Sequence, residues 1–173
     1  MKTLSTLFFT LFALMSTMSF AHGGGNYEHS NFFKNMKKGD KAALVMVHFG
    51  TTHQDTREKT IDALNQRVQK EYSNLDFFEA YTSRIIIKRL GDKGIKKNNP
   101  LEVLKSLKEK GYTHILLQPT KIIDGVEMES LYRNVNAMTD EFKDVRVGTP
   151  LLYEPEDYSE LMQILTKDLA TDR

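Results

Sequence analysis

The sequence of 173 residues carries 24 Lys and Arg against 23 Asp and Glu, a net charge of +1, and no cysteine. The near balance excludes the broad basic field of a nucleic-acid binder, and the missing cysteines exclude a disulfide-stapled scaffold. About 150 residues after the N-terminal segment suffice for one ordinary hydrophobic core.

Lys2 is followed by a run of mainly Leu, Phe, Met, Ala, Ser and Thr that ends in "MSFA". A basic residue, an apolar stretch of this length and small residues near Ala21 form a cleavable secretory signal over residues 1–21. The rival is a membrane anchor, but a spanning helix wants roughly 20 strongly apolar residues, and Ser and Thr dilute this run. The membrane is therefore expected to matter only through the signal peptide. Residues 22–40, opening "HGGGNYEHSN", read as a flexible leader, because glycine and small polar residues resist a fixed backbone. Lys34, Lys37, Lys38 and Lys41 cluster before the first strand and read as a solvated lead-in.

The domain proper is placed at 41–173. "AALVMVHF" is a continuous apolar run of strand length, suited to a strand buried on both faces of a parallel sheet. "TTHQDTREKTIDALNQRVQKEY" places Ile61, Leu64 and Val68 at helical spacing, with Thr52 or Asp55 as candidate caps. "DFFEAYTS" is a second strand, and "RIIIKRLGDKG" a short helix ending at glycines. In "NNPLEVLKSLKEKGY", Asn99 caps a helix, Pro100 opens it and Gly111 stops it. "THILLQPTKI" and "DVRVGTPLL" are the third and fourth strands, each followed by a helical pattern. Strand and helix alternate four times, which predicts an α/β fold: a four-stranded, mainly parallel sheet with helices on both faces.

In such sheets ligands bind beyond the carboxyl ends of the strands, here "HFGTT", "AYTSR", "QPTKIIDG" and "GTPLLYE". The "FGTTHQDT" loop lacks a Walker lysine and dinucleotide glycine spacing, so no nucleotide is expected. His48 shares a strand face with Leu44 and Met46; it is either the last residue of a buried strand or a metal ligand. His53 opens a helix, His22 and His29 lie in the leader, and His114 sits at the opposite end of the sheet, where a structural role is expected. Glu127, near Asp124 and Glu129, suits an acid, base or ligand, or complements a helix dipole. Arg84, beside Tyr81 and Thr82, is suited to gripping a carboxylate.

The segments "ALVMVHFGTTHQDTREKTIDAL", "FFEAYTSRIIIKRL", "NPLEVLKSLKEKGYTHILLQPTKIIDGVEMESL" and "VGTPLLYEPEDYSELMQIL" resemble, in order and spacing, the anaerobic-type sirohydrochlorin cobaltochelatases of the CbiK type. The resemblance implies insertion of Co²⁺, or of Fe²⁺, into sirohydrochlorin or a related tetrapyrrole, as in cobalamin biosynthesis, without ATP. Relatives with signal peptides imply a periplasmic location. The family's fold has two similar halves around a cleft, and the match covers the first half alone. The family's two metal-binding histidines and its glutamate belong to the second half and do not carry over. The first half's cleft wall does: Gly50, Thr51 and Thr52, then Tyr81, Thr82, Ser83 and Arg84, then the loop with Gly125.

Pseudo-symmetry between the halves projects the ligand places onto positions near His48 and Phe49, Tyr81 and Glu127; His48 is one residue off the expected place and Tyr81 replaces a glutamate. Half-length relatives pair into homodimers, and a homo-oligomer is expected here. In a symmetric dimer His48 and Glu127 would serve as catalytic and metal-binding residues from both copies; in a monomer His48 is structural. The competing readings are a non-enzymatic periplasmic carrier of metal or haem and a truncated chelatase.

Overall fold

The computed structural model describes residues 31–170. The signal-peptide segment, His22 and His29 lie outside the described residues. Strand β1 (Ala42–His48) is buried at every position after Ala42. It runs between β2 (Asp76–Tyr81) and β3 (His114–Pro119), and β4 (Asp144–Val147) completes the order β2-β1-β3-β4. All three pairings are parallel. A central strand covered on both faces cannot alternate polar and apolar residues, which is why the β1 sequence is uniformly apolar until His48.

Helix α1 has three continuous parts: Gln54–Arg57, a π-helical segment Glu58–Asp62, and Ala63–Glu71. Neither Thr52 nor Asp55 caps it. The backbone stays extended through His53, which holds the cap position without a side-chain bond, and the Thr51 hydroxyl accepts from the His53 N–H at 3.2 Å. Helix α2 (Arg84–Gly91) is capped by Ser83, whose Oγ accepts from the Ile86 N–H. Helix α3 (Pro100–Glu109) has the expected Asn99 cap, reinforced into a capping box: Asn99 Oδ1 accepts from the Glu102 N–H at 3.0 Å and Glu102 Oε2 from the Asn99 N–H at 2.8 Å. Helices α4 (Val126–Asn136) and α5 (Pro155–Ala170) follow β3 and β4.

Alternate residues of β1 define two layers. Ala43, Val45 and Val47 pack with Ile115 and Leu117 of β3 against Leu104 and Leu107 of α3 and Met128, Leu131 and Val135 of α4. Each such buried aliphatic side chain contributes roughly 1.5–3 kcal/mol. The other face carries Leu44, Met46 and His48, with α1 beside it. There a groove of about 910 Å³ remains between Leu44, Met46 and Leu116 of the sheet and Leu64 and Val68 of α1. The two helical layers and the parallel sheet are those the alternation predicts.

The described part of the leader is packed against the sheet's amino edge. Phe32 is 1% exposed, with its ring edge-on to His114 at 5.3 Å. Asp40 accepts from the Lys37 N–H and from Lys143. The Lys143 bond, then the Lys37 bond, hold its carboxyl down at about 2. His114 itself is buried and bonded to Thr113, a structural role. Among the described residues no helix is long and apolar enough to cross a membrane.

Candidate functional site

Parallel pairing brings the carboxyl ends of β1, β2 and β3 level. Beyond the ladder, the Thr82 N–H donates to the His48 carbonyl at 2.8 Å, the Ser83 N–H to Phe49 at 3.2 Å and the Thr120 N–H to Val47 at 2.9 Å. These bonds set three loops side by side, with α4 starting just behind the third.

Here Glu127, in the first turn of α4, meets Lys121 of the loop leading into that helix and Thr82 of the loop after β2. Its Oε2 accepts from the Thr82 hydroxyl at 2.7 Å and from Lys121 Nζ at 2.8 Å, and Lys121 also donates to Thr82 Oγ1 at 3.0 Å. Burial opposes ionisation of Glu127, but the hydrogen bonds from Lys121 and Thr82 outweigh it and lower its pKa. Glu127 is therefore a carboxylate at neutral pH. Lys121 Nζ also lies 4.8 Å from the centroid of the Phe49 ring.

His48 belongs to a different set of contacts. It is 2% exposed, with Nδ1 3.0 Å from Thr120 Oγ1 and Nε2 2.9 Å from Asn65 Oδ1. Asn65 in turn donates to Glu79 at 3.2 Å, and Glu79 is paired with Lys97. With the Asn65 amide spent on Glu79, its oxygen faces His48, which makes Nε2 the donor and Nδ1 the acceptor from Thr120. Burial pushes the imidazole below its ordinary pKa, against the opposing pull of Asn65 and Glu79. Both ring nitrogens are thus engaged within this chain. No hydrogen bond joins it to Glu127, and among the described residues no group of three or more His, Asp or Glu side chains is placed to hold a metal ion.

The remaining expected site residues divide by exposure. Tyr81 is fully buried; its hydroxyl has no hydrogen-bond partner among the described residues, and burial, then Glu79 and Asp62, push its pKa up to about 12. Gly50 lies flat on the Tyr81 ring at φ +97°, and any Cβ there would run into ring carbons. Gly50 thus shapes the loop, and Tyr81 supports it from beneath. Thr51, Thr52, Thr82, Ser83 and Gly125 are half-buried, and Arg84 is exposed. The Ser83 hydroxyl is occupied in capping α2.

Sequence reasoning passed over Lys121 and Asn65. The "QPTKIIDG" segment did hold a signal for Lys121, a lone cation at a strand's carboxyl end just ahead of an acidic first turn. Also at this edge, the loops expose apolar side chains: Phe49 (49%), Ile85, Ile122, Ile123, Val126 (76%) and Leu151. Apolar side chains massed around one charged cluster mark a binding surface.

Fold and site together define a parallel α/β protein whose ligand edge is a carboxylate–ammonium cluster set among exposed apolar loops. Residues 41–173 match the profile of the cobalt chelatase (CbiK) family, and the chain belongs to that family. It is 37% identical over 134 residues to a sirohydrochlorin cobaltochelatase of Salmonella typhimurium, covering 77% of this chain and 51% of that protein. It is 29% identical over 135 residues to the sirohydrochlorin cobaltochelatase CbiKC of Nitratidesulfovibrio vulgaris, covering 77% of this chain and 48% of that one. The chain thus spans about half the length of the curated relatives it matches.

Proposed function

We propose that this protein inserts Co²⁺ into sirohydrochlorin or a closely related tetrapyrrole, working as a homodimer after export to the periplasm. The observation that carries this reading is the Glu127–Lys121–Thr82 cluster among the exposed apolar loops at the sheet's carboxyl edge. A tetrapyrrole has apolar faces and an acidic periphery, which suit such a surface. Insertion exchanges one divalent ion for two pyrrole protons, so it needs an ionised carboxylate near the macrocycle's face. Glu127 is that group: it docks the ion or receives a proton through its unbonded oxygen. Arg84, exposed at the start of α2, would grip a peripheral carboxylate. His48 acts as a positioning residue, pinning Thr120 and α1 beneath the site. It binds an ion only where the Thr120 or Asn65 bond is given up.

Dimerisation is supported by two unpartnered surfaces: the groove beside α1, and the exposed Tyr158, Met162 and Leu165 on one stripe of α5. Export is supported by the pattern over residues 1–21. The same site admits Fe²⁺, since carboxylate oxygen accepts several first-row ions. A second reading, a tetrapyrrole carrier without insertion activity, is favoured by the engagement of both His48 nitrogens.

The test is anaerobic absorbance of the purified protein with sirohydrochlorin and Co²⁺ against a protein-free control. Faster formation of the cobalt complex, lost in Glu127→Gln, is expected. A shifted tetrapyrrole spectrum without faster insertion makes the protein a carrier, and no change at all overturns both readings.

A further inference from the structure

The Lys121 ammonium is the unusual feature of the cluster. Its side chain is only 11% exposed, and it is bonded to the one carboxylate to which the site would dock a cation. Both hydrogen bonds to Glu127, from Lys121 and from Thr82, end on Oε2; among the described residues Oε1 accepts none. An incoming divalent ion therefore finds one free oxygen and a fixed positive charge next to the other. Chelation through both oxygens requires Lys121 and Thr82 to be displaced, and coordination through Oε1 alone leaves the ion in the field of the ammonium.

We propose that Lys121 is a built-in competitor for the metal at Glu127, confining the carboxylate to single-oxygen coordination so that the ion is passed on and not retained. The proposal rests on Glu127 being the docking carboxylate. A protein that transfers an ion gains nothing from binding it deeply, because tight binding in the ground state adds to the barrier of the transfer. A bidentate, uncompensated carboxylate would be such a trap. The face of Phe49 offers the ammonium a second, weaker attraction next to its bond with Glu127. That attraction is already made while the bond to Glu127 is in place, so it is kept when the bond is given up. Lys121 is a positioning and tuning residue in this scheme, not a ligand.

Calorimetric titration with Co²⁺ alone, on the purified protein and its variants at neutral pH, tests this without any tetrapyrrole. Lys121→Met is expected to bind Co²⁺ at least tenfold more tightly, and the gain should vanish in Lys121→Met/Glu127→Gln. That double variant also subtracts binding by other ligands such as His22 and His29. Lys121→Arg, which keeps the charge, should stay near wild type. X-ray absorption of the cobalt-loaded Lys121→Met protein should show a carboxylate bound through both oxygens. If that variant does not fold, Lys121→Gln takes its place. Equal or weaker Co²⁺ binding without the lysine, together with loss of binding in Glu127→Gln, overturns the competitor role and leaves Glu127 as the docking group. Binding that ignores Glu127 in every background overturns both.

Discussion

His48 is buried where three segments meet, with both ring nitrogens bonded. Its two bonds tie the end of β1 to Thr120 and to Asn65 of α1, and its burial lowers its pKa. The pH dependence follows in sign. The unfolded imidazole titrates near 6.5 and the folded one lower, so below about 6.5 the unfolded chain takes up more protons. Its contribution to stability is whole above that pH and is lost as pH falls toward the lowered folded value. His48→Gln should cost about 1–3 kcal/mol at pH 7.5, and urea midpoints should show the gap to wild type narrowing at pH 5.5. A gap that stays constant would mean that folding leaves the imidazole pKa unshifted, and a widening gap that the imidazole is charged in the fold. Glu127 is the opposite case: its interactions favour the charged form, as chemistry with a cation requires.

Among the elements, α3 and α1 are built by different rules. Helix α3 is specified locally, by Asn99, Pro100 and Glu102 at its start and by Gly111 at φ +75° just past its end. Asn99→Ala should cost about 1 kcal/mol, read as a lower urea midpoint with Co²⁺ affinity unchanged. A changed affinity would show that the cap shapes the site as well. Helix α1 has no side-chain cap and contains a π-helical segment, a form in which each N–H reaches one residue further back. That extra residue lets Arg57 and Asp62 meet at 3.3 Å. It precedes Asn65, the α1 residue that reaches His48. Here tertiary contacts, not local signals, decide the geometry.

In the molecule as a whole, α5 is the unsatisfied part. Tyr158, Met162 and Leu165 recur at helical spacing yet are 48%, 58% and 48% exposed. A helix of this length is marginal alone in water and normally owes its stability to a buried stripe. Under the dimer reading, sedimentation should show a concentration-dependent dimer, and Met162→Ser/Leu165→Ser should sediment as a monomer with reduced cobalt insertion. A wild-type protein that is monomeric at every concentration yet active would sink the dimer.

What could be read along the chain was whatever local chemistry controls. The apolar run of β1, the Asn99–Pro100 start of α3 and the fourfold alternation led to the parallel sheet and its two layers, because burial on both faces and orphan helix N–H groups impose their own residue patterns. The cleft-wall segments likewise pointed to the family. The partners of the functional side chains were hidden. Lys121 and Glu127 are near in sequence, but the Thr82 hydroxyl that completes their cluster comes from the loop after β2. Asn65, which engages His48, comes from a helix whose π-helical segment no periodicity announces. Hydrogen bonds between distant segments depend on register and helix phase to within an ångström, and those are set only when the sheet and its helices pack together.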